Sequence, residues 1–191
     1  VSLNDTWKAH VAKWSNCQAC PLAEHRNRVV LARGEIPCDV LFVAEAPGKS
    51  ENLLGKPLVG PAGKMLDQIV ESVWESMECD YTRCYTNIVG CFPKEAKETE
   101  DHRPPKKAIK ECSPRVKEMV EMCRPKLIVC VGSLSKEWLH LSVDMASEAH
   151  EIVHIAHPSA ILQTPVPNRP LMVKKVVAVL QNALYKIGGG T

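Results

Sequence analysis

Four short apolar runs constrain this chain most: Asp39–Ala44, Cys84–Val89, Leu127–Val131 and Ile152–Ala156. Each is rich in β-branched residues and bounded by turn formers, the pattern of a strand. Helical spacing fills the gaps. Met65, Ile69, Val73 and Met77 recur at i+4, with Leu66 and Val70 widening the stripe. Ile109, Val116, Val120 and Cys123 predict another helix, which Pro114 interrupts or restarts. Leu134–Leu141 is a short third. A last helix runs from Pro170, suited to a first helical position, to Ile187, with Gly188 as its stop. Asp5 or Thr6 is expected to cap a first helix ending near Ser15. Strand–helix alternation predicts a three-layer α/β/α fold with a short, mainly parallel central sheet. Residues 1–187 read as one domain and 188–191 as a flexible Gly-rich tail.

In such sheets ligands bind beyond the carboxyl ends of the strands. The first run ends in the glycine- and proline-rich loop AEAPGKSENLLGKPLVGPAG, Ala44 to Gly63. A phosphate-cradling loop of the form G-x-x-x-x-G-K-S/T is absent. Counted back from Gly63-Lys64, the first glycine falls on Leu58, and Met65 stands where the hydroxyl is needed. Counted from Gly55, Pro61 replaces the lysine. The G-x-G-x-x-G dinucleotide fingerprint is absent too, so nucleotide-triphosphate and NAD chemistry are excluded.

A net charge of +2 is too small to argue nucleic-acid binding by itself. No apolar run reaches the ~18 residues of a membrane helix. Nothing at the N-terminus resembles a signal peptide. The expected setting is soluble and intracellular, cytoplasmic or nucleoid-associated. The chain starts at Val1 rather than Met and ends in Gly188-Gly189-Gly190-Thr191, which reads as processing or excision from something longer.

The nine cysteines divide into two kinds. Cys130 lies inside an apolar run, and Cys38, Cys79, Cys84 and Cys123 lie near element ends; free cysteine packs there as a small hydrophobe. Cys17 and Cys20 form a C-x2-C in a polar turn, a spacing that lets two thiolates reach one metal or cluster or act as a redox pair.

Taken in order, Glu45-Ala46-Pro47-Gly48, Gly55-Lys56-Pro57-Leu58-Val59-Gly60-Pro61-Ala62-Gly63, Thr86-Asn87-Ile88-Val89-Gly90-Cys91 and His157-Pro158-Ser159 resemble the motifs of the uracil-DNA glycosylase superfamily. The resemblance is strongest to its iron–sulfur branch, family 4, with relatives in families 5 and X. It runs from about Cys17 to Ser159. It implies a 4Fe-4S cluster on Cys17, Cys20, Cys91 and Cys112, with Cys123 as runner-up for the fourth position and a structural zinc as the alternative cofactor. It implies a monomer acting on uracil-containing DNA, single- or double-stranded.

Base release requires flipping, a reader for the base, stabilisation of the leaving anion and control of water. Asn87 can donate and accept at once, matching uracil's O4 and N3–H while rejecting cytosine. His157 can donate to O2 of the departing base. Glu45 is the candidate for placing or activating water, and Glu51 is a second. Ala46 and Gly48, with Gly60 and Gly63, would let the backbone approach the base closely. Ser159 could hold a phosphate. Lys106, Lys107, Lys110, Arg124, Lys174 and Lys175 are further phosphate contacts to consider.

Three departures from the family pattern bear on activity. Ala44 stands where many members carry glycine. Leu58 replaces the Phe that stacks on the base. The stretch Lys94–Asp101 is acidic where DNA would prefer cations. His102 sits where family X carries a histidine that bonds covalently to the sugar, without the basic residues that precede it there. These departures keep a second reading open: a non-catalytic iron–sulfur module of this fold that binds DNA or a replication partner, as part of a larger replication protein.

Overall fold

The computed structural model describes residues 2–93, 103–141 and 151–188. The acidic stretch 94–101, His102 and the last three residues of the Gly-rich tail lie outside them. Over the described residues the helices are α1 (Leu3–Trp14), α2 (Lys49–Leu54), α3 (Pro61–Ser76), α4 (Lys106–Cys123), α5 (Ser133–Leu141), α6 (Pro158–Gln163) and α7 (Arg169–Ile187). The strands are β1 (Arg33–Gly34), β2 (Val40–Ala44), β3 (Arg83–Asn87), β4 (Leu127–Val131) and β5 (Glu151–Ile155).

The sheet order is β1-β3-β2-β4-β5. All neighbours are parallel except β1, which pairs antiparallel with β3. Every residue of β2 and β4 is buried, as expected of central parallel strands covered on both faces. Alternation then sorts side chains into two cores. Leu41, Val43, Cys84, Ile128 and Cys130 pack with α4 and α5 on one face. Val40, Phe42, Ala44, Tyr85, Val129 and Val131 pack with α3, α6 and α7 on the other. This is the three-layer arrangement read from the alternation. Because β3 and β4 flank β2 on opposite sides, the chain reverses its winding at β2, and a crevice opens at its carboxyl end.

Some local expectations change. Ser2, not Asp5 or Thr6, caps α1, its hydroxyl accepting from the Asp5 N–H at 3.2 Å. Pro114 does not interrupt α4, which runs through it. The Ser113 hydroxyl donates to the Ile109 carbonyl at 3.0 Å in the turn where Pro114 supplies no N–H. The loop read after β2 contains the helical turn and a half of α2.

Glu118 on α4 fastens α1 to the body. It accepts from Trp14 Nε1 at 2.6 Å and pairs with Lys13 and with His10 Nδ1, the latter at 2.8 Å. That contact delivers the turn after α1, with Cys17 and Cys20, to the flank of α4.

On the other face, Gly63 sits inside α3 where a Cβ would run into the Leu58 carbonyl. Leu58 itself is left-handed, with φ 54°. Glycine to alanine inside a helix normally stabilises by about 1 kcal/mol. Gly63→Ala is expected to reverse that sign and cost about 3 kcal/mol. Urea unfolding of the variant checks this; a stabilised protein would show that the loop yields freely.

Candidate active site

A cavity of about 800 Å³ opens at the carboxyl ends of β2 and β5. Glu45, Ala46, Pro47 and Gly48 follow β2 along one wall, and Leu58 and Gly60–Gly63 form the next. Gly132 and Ser133 close a third side, and His157 and Ser159 a fourth. Sequence order had scattered these residues; the switch point gathers them.

Two charged side chains shape the loop between β2 and α3. Glu51 is 9% exposed, and its carboxylate accepts from the backbone N–H groups of Gly48 (3.0 Å), Val59 (2.9 Å) and Gly60 (2.6 Å). With both oxygens engaged, Glu51 organises the loop and is not placed as a second water handler. From the sheet side, Arg33 Nε donates to the Pro57 carbonyl at 2.7 Å. Its Nη2 reaches the Leu58 carbonyl at 3.0 Å and Asp67 at 2.8 Å. The guanidinium lies 3.8 Å from the Tyr85 ring centroid.

Glu45 leaves the end of β2 and turns toward the start of α5. Its Oε1 accepts from the Leu134 N–H at 3.1 Å, a contact that the positive helix terminus favours. Gly132 makes room for it: its φ is 98°, and a Cβ there would stand 2.6 Å from Oε1.

His157 follows β5 and caps α6. Its Nδ1 lies 2.7 Å from the Ser159 hydroxyl and accepts from the Ser159 N–H at 3.2 Å. An Nδ1 that accepts a backbone N–H carries no proton, so the neutral ring holds its proton on Nε2. Burial pulls the His157 pKa below 6.5, against the opposing pull of Glu45 and Glu51. The Ser159 hydroxyl, read as a phosphate contact, is occupied with His157.

Asn87 is placed differently from the others. It ends β3 in register with Ala44, 1% exposed, and does not line the cavity. The ladder continues past it, Ile88 N–H to Ala44 O at 2.8 Å and Val89 N–H to Glu45 O at 3.0 Å, so Asn87 lies directly beside the Glu45 wall. Among the described residues its buried Nδ2 has no hydrogen-bond partner. An unmade buried donor costs about 1–3 kcal/mol, and one kept in a folded chain calls for a reason.

The four cysteines singled out from the motifs converge on one corner behind the cavity. Cys91 and Cys112 are 5% and 7% exposed, and Cys17 and Cys20 are half-buried. Cys20 feels the charge of Cys17 and Cys112, and Cys91 that of Cys20 and Cys112. Burial pushes Cys91 up to about 11, while Arg26, 3.8 Å from its Sγ, pulls the other way. Among the described residues no three donor side chains stand in a finished metal-ligand arrangement. Cys123, the runner-up, is fully buried and packs in the core with Cys38 and Cys84, its carbonyl accepting from the Cys38 N–H at 3.0 Å.

Several residues of this region carried no role in the sequence reading. Phe92, directly after Cys91, lines the cavity and is its one aromatic carbocycle among the described residues. His154 and Arg103 also line it. Arg115, three residues after Cys112 on α4, is 1% exposed and bonds to Thr86 Oγ1 at 3.2 Å, the Ile88 carbonyl at 3.2 Å and the Asn87 carbonyl. The i,i+3 spacing with Cys112 was the signal that could have found it.

Residues 32–181 match the Uracil DNA glycosylase superfamily, and the chain belongs to it. The chain is 32% identical over 133 residues to the type-4 uracil-DNA glycosylase of Saccharolobus solfataricus, covering 70% of this chain and 58% of that protein. It is 26% identical over 167 residues to the type-4 enzyme of Archaeoglobus fulgidus, covering 78% and 80%. The chain thus spans little more than half the length of the first relative. The fold is also that of SMUG2 from Pedobacter heparinus, with a TM-score of 0.57 at 14% identity over 75% of this chain and 74% of that one.

Glu51→Gln removes a charge and turns an NH2 toward donors, so it is expected to cost about 2 kcal/mol. Denaturant unfolding checks the stability. Faster proteolytic nicking in the loop 48–60 checks the location, and an unchanged unfolding curve would contradict the loop-organising role.

Proposed function

We propose that this chain removes uracil from DNA by hydrolysing the N-glycosidic bond, as the first step of base excision repair. One observation carries the reading: neutral His157, held as its Nε2–H tautomer, and Glu45 stand on opposite walls of a cavity whose neighbouring buried amide, Asn87 Nδ2, is unsatisfied. The leaving uracil gathers negative charge, and an Nε2–H aimed at its O2 stabilises that charge as it develops. Glu45, fixed by the α5 terminus, places water on the sugar. Asn87 supplies the amide that fits O4 and N3–H. Because Asn87 stands behind the wall, the base must press into the site to reach it. The backbone at Ala46 and Gly48 lies along its path, and Ser159 acts through His157.

The site needs a face for the flipped ring. Leu58 offers an aliphatic surface, 6% exposed and anchored in the core shared with α3, α6 and α7. Phe92 offers the aromatic one. Stacking is worth ~1–3 kcal/mol per base, so Phe92→Ala is expected to lower kcat/KM for uracil release about tenfold or more. Phe92→Tyr should retain most of the activity. Equal kinetics for the alanine variant would remove Phe92 from the site.

Cys17, Cys20, Cys91 and Cys112 would hold the 4Fe-4S cluster, which supplies a cross-link between the N-terminal turn, the end of β3 and α4. The chemistry of the donor set suits it: four free thiols, two of them buried, with the Arg26 guanidinium 3.8 Å from Cys91 Sγ. Iron and sulfide analysis separates the cluster from zinc.

The decisive assay is uracil release from a labelled single-stranded oligonucleotide by anaerobically purified protein. Release lost in Asn87→Ala is the expected result. Intact DNA, with the cluster present, would sink the enzyme reading and favour the DNA-binding module, to which the missing Phe at position 58 points. A protein–DNA adduct on a denaturing gel would instead implicate His102.

Acid should act through His157. Its folded pKa lies below 6.5, so the neutral ring persists through 6.5 as pH falls and is lost only beneath it. Below 6.5 the unfolded chain takes up this proton more readily, so His157 makes stability fall with pH there. The pH–rate profile is expected to be flat through 6.5 with its acid limb below. A limb centred above 6.5 would contradict a buried, neutral His157.

A further inference from the structure

We propose that Arg115 is a positioning residue that couples the four-cysteine corner to the base-reading strand: it grips the backbone after Thr86 and takes its counter-charge from the cysteine set. The inference rests on the cofactor reading of Cys17, Cys20, Cys91 and Cys112.

Arg115 is 1% exposed, among the largest fully buried side chains of the protein. A guanidinium is charged at any accessible pH, and burying it without counter-charge is among the costliest acts in folding. Among the described residues no carboxylate pairs with it. Its hydrogen bonds go to neutral acceptors: Thr86 Oγ1, and the carbonyls of Asn87 and Ile88. Among those residues its Nε has no hydrogen-bond partner. Cys112 stands one helical turn before it on α4, and Cys91 follows Gly90, which packs against its Nε; with Cys17, these are the thiols that favour its charge. Neutral thiols cannot balance a buried cation; thiolates bound to a metal cluster can. Gly90 belongs to the same contact, since a Cβ there would come 3.3 Å from Arg115 Nε and 3.1 Å from the Val29 side chain.

The geometry gives the corner a second task besides cross-linking. The Asn87 carbonyl is held by the charge that the cysteine set neutralises. Emptying the corner leaves Arg115 uncompensated against the backbone that orients the Asn87 amide. Metal content and base recognition are thereby linked through one side chain.

The test uses the whole chain, purified anaerobically, as parent, Arg115→Met and Arg115→Lys. Iron, zinc and sulfide are assayed first. A parent with no metal refutes the cofactor reading and, with it, the counter-charge. In metal-loaded protein, the melting temperature is recorded before and after chelator treatment. The parent is expected to lose more on stripping than Arg115→Met, because only the parent is left with a bare buried cation. Where iron is present, the cluster potential should shift negative in Arg115→Met and return toward the parent in Arg115→Lys. The Kd for an oligonucleotide carrying a non-hydrolysable uracil nucleotide should rise about tenfold in Arg115→Met, the scale of a lost supporting contact. Equal losses on stripping, or an unchanged potential in an iron-loaded Arg115→Met, would reduce Arg115 to a packing residue and overturn the proposal. If Arg115→Met does not accumulate, the Arg115→Lys stripping loss and Kd decide, a parent-like stripping loss with raised Kd supporting it and parent-like values of both overturning it.

Discussion

A charged guanidinium with 1% of its surface exposed organises the middle of this protein. Arg115 sits on α4 between the cysteine corner and the carboxyl end of β3, and it bonds to three consecutive residues, Thr86 to Ile88. Thr86 in turn donates to the Leu31 carbonyl at 2.7 Å, tying in the segment before β1. Val30 N–H reaches the Gly90 carbonyl at 2.7 Å. The segment before β1, β3 and α4 therefore share one polar knot inside an otherwise apolar layer. Buried polar networks are stabilising only when satisfied, so this knot demands a counter-charge and fixes where one must be.

The opposite wall of the cavity is held by another kind of contact. Glu51 and Arg33 are opposite charges that never meet; each binds backbone of the same loop, Glu51 its N–H groups and Arg33 its carbonyls. The loop is thus gripped by both of its hydrogen-bonding edges. That grip sustains a left-handed Leu58, a conformation that costs a non-glycine residue about 1 kcal/mol or more. Rigid walls matter to the proposed chemistry, because preorganised donors act without rearranging as charge develops.

Much of this was legible in sequence. The apolar runs matched four strands within a residue or two of their observed ends: β2 and β4 are central, buried on both faces and read as unbroken hydrophobic stretches, while β3 and the edge strand β5 were marked by β-branched residues and bounding turns. β1 was not legible: two residues, Arg33 and Gly34, carry no periodicity. Nor was the unbroken α4, since Pro114 is an adverse local signal that tertiary packing overrides. The ordered motifs pointed to Glu45, His157 and the cysteine corner, which the fold brings to one end of the sheet. Residue type alone could not reveal that Glu51 is saturated by backbone, that the Ser159 hydroxyl is occupied, or that Asn87 lies behind the wall. Those depend on which neighbour reaches a side chain first. Phe92 and Arg115 escaped because an aromatic and a cation on a helix are commonplace until their surroundings are known.

In the proposed function the buried Asn87 amide awaits a uracil edge. A crystal structure with DNA bearing a 2′-fluorinated deoxyuridine, which resists hydrolysis, tests it directly. The expected result is the base flipped into the cavity, O4 and N3–H on the Asn87 amide, His157 Nε2 at O2 and Phe92 against the ring. A uracil left stacked in the DNA, or seated in the cavity with Asn87 still unpartnered behind the wall, would contradict it.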